Sequence, residues 1–93
     1  MKFEWDERKN RTNIRKHGLD FADALEVFAG PTLIRLDTRR DYGEDRWIGI
    51  GITRSRVVVL VYTERDDGET IRIISMRKAL KHERKLFEKT ISH

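Results

Sequence analysis

The stretch RWIGIGITRSRVVVLVYTERDDGETIRIISM, residues 46–76, decides the fold. Its opening alternates strictly: Ile48, Ile50 and Ile52 face one way, and Trp47, Gly49 and Gly51 the other. That is the period-2 signature of a strand over 46–53. Thr53-Arg54-Ser55-Arg56 reads as a hairpin connection. Val57–Tyr62 is apolar throughout, which suits a central strand covered on both faces. Asp66-Asp67-Gly68 is a hairpin turn signal, and residues 70–76 form the next strand. Successive strands joined by tight turns make an antiparallel meander. The glycines at 49 and 51 predict a groove or a close helix contact rather than a nucleotide cradle.

Working outward, Leu33–Asp37 is a further short strand. Before it, Asp20 starts a helix in which Phe21, Ala24, Leu25 and Phe28 recur at helical spacing, and Gly30-Pro31 stops it. Lys2–Trp5 alternates like a strand. Asp6 then caps a helix over about 7–17, and Gly18 ends it as a left-handed residue. Leu19 is expected against Ile14 in the closing turn. That helix carries little apolar surface: Lys9, Asn13 and Lys16 share a face, with Asn10 and His17 beside it. At the far end, a helix runs from about Lys78 to Ile91. Ala79, Leu80, Leu86, Phe87 and Ile91 form its apolar stripe, with Glu83 inside it. The order β-α-α-β-β-β-β-α defines an α+β class, helices on an antiparallel sheet, in a single domain over 1–93.

Composition narrows the function. The chain has 93 residues, 39% of them charged, and no cysteine. A disulfide framework and thiolate metal sites are excluded. No apolar run approaches a membrane span or a signal-peptide core, so a cytoplasmic protein with no membrane partner is expected. The net charge is +4, but residues 1–18 carry +3, 77–93 carry +4 and 19–76 carry −3. Arg outnumbers Lys, 13 to 7. Arg presents a planar fork of donors that matches phosphate, so nucleic acid is the first partner to consider.

The chemistry follows by elimination. His17, His82 and His93 have no metal-ligand spacing, and Ser55, Ser75 and Ser92 sit in no nucleophile elbow. No metal or other cofactor is expected. What remains is a set of Arg, Lys, His, Tyr and Glu. Arg46 starts one strand and Tyr62 ends another; Arg72, Ser75 and Arg77 lie in or just after the last; His17 closes the first helix. Such a set suits metal-free RNA cleavage. The 2′-hydroxyl attacks its own phosphate, so the protein moves protons and stabilises a crowded anion. His17 or Glu83 is the candidate proton carrier. Each residue also has a plainer role: Glu83 in an ion pair with Arg72 or Arg77, His17 as a cap, Tyr62 as a core aromatic. Arg35, Arg54 and Arg65 read as surface. A non-catalytic RNA- or ribosome-binding module, or a protein-interaction module, fits the same charges.

The ordered set Phe3-Glu4-Trp5-Asp6, Lys9-Asn10, Asn13, Lys16-His17-Gly18, Phe21, Ala24 and Val27-Phe28 resembles the opening of the BrnT toxin family. Asp37, Gly43-Glu44, Arg46, Val59 to Thr63, Arg72 through Ala79, and Glu83-Arg84 resemble its closing pattern. The resemblance implies a RelE-like fold and a ribonuclease toxin of a type II toxin–antitoxin pair, which arrests translation. It implies a BrnA-type antitoxin whose DNA-binding domain reaches operator DNA, so the toxin meets DNA only through its partner. Residue by residue it points to Lys16, His17, Arg46, Arg72, Ser75, Arg77 and Glu83; of the whole candidate set, His17, Arg46, Arg72, Arg77 and Glu83 are expected to be catalytic, and Lys16, Ser75, Lys78 and Tyr62 to contact RNA. Phe87 stands where family members often carry Tyr, so no phenol acts as general acid there. Met76 replaces the commoner Ala.

Overall fold

The computed structural model describes residues 1–91. Ser92 and His93 lie outside them. Strand β1 is Lys2–Trp5, and Asp6 caps helix α1, Glu7–His17. The Asp6 carboxylate accepts the backbone N–H groups of Arg8 and Lys9 at 2.8 and 3.3 Å. Gly18 closes α1 at φ 68°, in the left-handed region, and donates its N–H to the Ile14 carbonyl. Leu19 goes into the core, while Ile14 stays at the surface.

Asp20 caps the next turn by accepting the Ala22 N–H at 2.9 Å. Phe21–Asp23 winds as a 3₁₀ turn and Ala24–Ala29 as helix α2. A 3₁₀ turn has about three residues per turn, which changes the buried phase. Phe21, Ala24 and Val27 are buried, and Leu25, expected in the stripe, faces solvent.

The remaining strands are β2 Leu33–Leu36, β3 Trp47–Thr53, β4 Arg56–Arg65 and β5 Thr70–Lys78, followed by helix α3 Lys81–Ile91. One five-stranded sheet has the order β1-β5-β4-β3-β2. The meander from β2 to β5 is antiparallel throughout. The sheet as a whole is mixed rather than antiparallel, because β1 adds to the outer edge of β5 in parallel, with Glu4 opposite Arg72. Parallel neighbours need a long crossover, and here the whole intervening chain is that crossover.

Two cores sandwich the sheet. On one face Leu19, Phe21, Ala24 and Val27 pack on Val58, Leu60, Tyr62, Ile71, Ile73 and Met76. On the other, Ala79 and Phe87 pack on Ile48, Ile50 and Val59. Gly51 explains the close seating of α2: a Cβ there would stand 2.7 Å from Val27 Cγ1. Helix α3 starts later than its sequence period suggests, because β5 continues through Lys78. Leu80 and Leu86 are exposed, so the buried stripe of α3 is narrower than expected. Ile52, at the end of β3, is exposed as well.

Candidate active site

Helix α3 covers only one end of its sheet face. Beside it lies an open cleft of about 100 Å³. Ile48, Val59 and Val61 are its apolar lining, and Arg35, Arg39, Ser75 and Arg77 its polar one. A β-bulge shapes it. Ser75 pairs with Val61 but Ile73 pairs with Tyr62, so Ile74 is an extra residue in β5. A bulge re-aims the side chains around it, and Ser75 is exposed at the mouth.

The arginines at this cleft are held from behind. Arg77 Nη1 and Nη2 donate to the two Glu83 carboxylate oxygens at 2.7 and 2.8 Å. Glu83 Oε1 also accepts the Leu80 backbone N–H at 2.8 Å, the carboxylate half of a capping box at the start of α3. These bonds, Arg77 first, bring the Glu83 pKa down to about 2. A group so acidic is a poor proton acceptor near neutral pH. Glu83 thus holds the Arg77 guanidinium and the first turn of α3 together.

Arg39 repeats the device. Its Nε and Nη2 donate to the two Asp37 oxygens at 2.8 Å each. The Arg39 N–H and the Tyr42 hydroxyl add bonds at 3.1 Å. The Asp37 side chain is wholly buried, yet this donor set, led by Arg39, holds its carboxyl far below the usual range. Arg39 and Arg77 feel each other's charge. Like charges at one cleft lower their mutual repulsion by binding an anion.

Two further hollows adjoin. One, about 350 Å³, is lined by Arg8, Lys9, Thr12, Asn13, Lys16 and His17 of α1 with Ile74 and Ser75 of β5. The other, about 460 Å³, is lined by Lys16, His17, Gly18, Arg77, Lys78 and Leu80. Ser75 belongs to the first hollow and the cleft, and Arg77 to the second hollow and the cleft. The structure thus brings together Lys16, His17, Ser75, Arg77 and Lys78. Among the described residues, no Asp or Glu lines any of the three.

Other candidates lie elsewhere. Arg72 Nη1 donates to Glu4 Oε2 at 2.6 Å, beside β1. Arg46 lies over the Tyr42 ring, 4.2 Å from its centroid, with Glu44 at 3.6 Å. Tyr62 is 2% exposed and stacks edge-on against Phe28 at 5.0 Å. Its ring belongs to the opposite face, and burial pushes its hydroxyl pKa up to about 12. It packs as a core aromatic, away from the cleft.

Arg35 is exposed, as the sequence reading has it, and also lines the cleft. Sequence reasoning did not single out Arg39. The available signal was Asp37 followed two residues later by Arg39, an Asx-type turn at a strand end. The asparagines of α1 are structural. Asn13 Oδ1 accepts the Met76 N–H at 3.2 Å and its Nδ2 donates to the Leu19 carbonyl at 3.0 Å. Asn10 Oδ1 accepts the Phe21 N–H at 2.8 Å, and its Nδ2 donates to Asp20 at 3.0 Å.

An α+β domain with Arg35, Arg39 and Arg77 at one cleft offers a site for an anionic ligand. Residues 5–83 match the sequence profile of a family described as the ribonuclease toxin, BrnT, of type II toxin-antitoxin systems. The chain belongs to the BrnT family, and a cognate antitoxin is its partner. A search of curated proteins finds no match.

Proposed function

We propose that the chain cleaves RNA without a metal ion, by attack of a ribose 2′-hydroxyl on the adjacent phosphate. The observation that carries this reading is that Arg39 and Arg77 line one cleft, each guanidinium fixed by a carboxylate, with no Asp or Glu among the lining residues. In the reaction the 2′-oxygen–phosphorus bond forms and the bond to the 5′-oxygen breaks. The 2′-hydroxyl gives up a proton, and the leaving 5′-oxygen takes one. Arg77 and Arg39 bind the non-bridging oxygens, whose charge grows in the transition state; preorganised donors are worth most there. Ser75 adds a donor at the mouth. His17 is the proton carrier and Lys16 and Lys78 hold the strand; all three line hollows next to Arg77. Arg46 and Arg72 add positive field from outside the cleft.

Cleavage of messenger RNA arrests translation and growth. A BrnA-type antitoxin neutralises the toxin and carries the pair to operator DNA through its own DNA-binding domain. The test is incubation of purified protein with synthetic RNA in EDTA. New ends bearing 2′,3′-cyclic phosphate, lost in Arg77→Ala, are the expected result. Intact RNA bound with a steep salt dependence would instead identify a non-catalytic binding module.

A further inference from the structure

We infer that α1 carries a second phosphate subsite, which holds the RNA strand beyond the cleaved bond and makes single-stranded RNA of several nucleotides the preferred substrate. The inference rests on the reading of RNA as substrate. Three observations on the fold carry it.

First, β1 pairs with β5 only from Thr70 to Ile73. Beyond that point β5 has an open edge, and an unpaired edge needs cover. Helix α1 supplies it through Asn13, which takes the Met76 N–H. The hollow between α1 and this edge is therefore built into the fold. Second, Arg8, Thr12 and Lys16 are four residues apart, so they form one line along α1, with Lys9 and Asn13 beside it. The line from Arg8 to Lys16 is about 12 Å long at the helical rise. Arg8, Lys9 and Lys16 are its cations, and Thr12 adds a hydroxyl. Asp6, at the start of the line, is engaged by the N–H groups of Arg8 and Lys9. Third, the α1 hollow and the arginine cleft meet at Ser75, which lines both. A strand whose scissile phosphate sits on Arg77 and Arg39 passes Ser75 and continues along α1.

The site is suited to phosphates rather than bases. Its lining holds the cations Arg8, Lys9 and Lys16 and no Phe, Tyr or Trp, so His17 is its one aromatic ring and base stacking, the usual source of base affinity, is limited. The subsite adds grip without sequence choice.

The experiment uses the full chain and an RNA oligonucleotide containing a mapped cleavage site, together with the same RNA trimmed close to that site. The double variant Arg8→Ala/Lys9→Ala is expected to raise KM for the long RNA about tenfold while keeping kcat. The trimmed RNA is expected to show little difference between the two proteins. Removal of two phosphate contacts is expected to flatten the plot of log affinity against log salt by about 1.4. Lys85→Ala/Lys89→Ala, the same charge loss on α3, serves as the control and keeps wild-type KM. Equal KM for the long RNA in all three proteins overturns the inference. If the wild type cuts no RNA at all, the proposed catalysis fails. The subsite is then judged by binding alone: an unchanged salt slope in the α1 variant refutes it, and a flattened one supports it.

Discussion

Glu83 grips Arg77 through both oxygens, at 2.7 and 2.8 Å, and with the same carboxylate closes the first turn of α3. One side chain thus ties the end of β5 to the start of the helix and aims a guanidinium into the cleft. The consequence for stability has a definite sign. Glu83 titrates near 2 in the folded chain, below its ordinary 4.5. A depressed carboxyl stabilises fully above its unfolded pKa and loses that contribution as pH falls toward the folded one. Wild type is expected to exceed Glu83→Gln by roughly 1–2 kcal/mol at neutral pH, after discounting for solvent screening at Arg77. The gap closes between about pH 4.5 and 2. Denaturant titrations of both proteins across this range check it, and a gap independent of pH would contradict the assignment. Asp37 titrates in both proteins and cancels.

Arg39 is expected to be as important to RNA cleavage as Arg77. Removing one preorganised donor to a developing anion costs about 10²–10³ in rate, and Arg39→Ala is expected to fall in that range. Arg39→Lys recovers little, because a point charge cannot make the two-pronged bond to Asp37. Asp37→Asn frees the guanidinium and loses the pair between the exposed Arg39 and the buried Asp37, so both activity and stability drop. Single-turnover cleavage rates of the three variants, beside circular dichroism, provide the check. Full activity in Arg39→Ala would remove it from the site.

Asn13→Ala separates scaffold from chemistry. The side chain satisfies the Met76 N–H and the Leu19 carbonyl in a buried place. Buried groups left without a partner cost about 1–3 kcal/mol each, so an unfolding free energy lower by about 2–4 kcal/mol is expected. RNA cleavage at low temperature, where the variant stays folded, remains within a few-fold of wild type. A loss of activity without loss of stability would make Asn13 part of the chemistry.

Much of the fold was legible because its signals are local. The alternation over Trp47–Thr53, the caps at Asp6 and Asp20, and the turn at Gly18 all survive in the structure. The parallel seating of β1 was not legible, since strand direction depends on a partner at the other end of the chain. Leu25, Leu80 and Leu86 misled for a related reason: helical phase depends on where a helix starts, and both starts shifted. At the site, the ion pair of Arg77 with Glu83 could be anticipated from the acid within an apolar stripe. Arg39 was signalled only by its spacing from Asp37, because the burial of that partner comes from tertiary packing that no sequence period reports. Tyr62, read in the sequence both as an RNA contact and as a core aromatic, is buried against Phe28 on the face opposite the cleft, a placement set by packing that the sequence alone does not report.

Arg72 and Arg77 provide the sharpest comparison, because both lie on β5 and looked equivalent in the sequence. Arg77 lines the cleft, and its partner Glu83 stands behind it. Arg72 sits past the bulge, in line with β1, where Glu4 takes its Nη1 at 2.6 Å. A guanidinium bound to a nearby carboxylate at the sheet's far end contributes field but no contact. Arg77→Ala is therefore expected to lower RNA cleavage by at least 10², as for a lost transition-state donor. Arg72→Ala is expected to lower it less than tenfold and to cost about 1 kcal/mol of stability from the half-exposed pair. The pair is checked by cleavage rates on one RNA under identical salt, and by growth after induction of each variant. Equal losses in the two would move the reacting phosphate away from the Ser75 side of the bulge and toward β1.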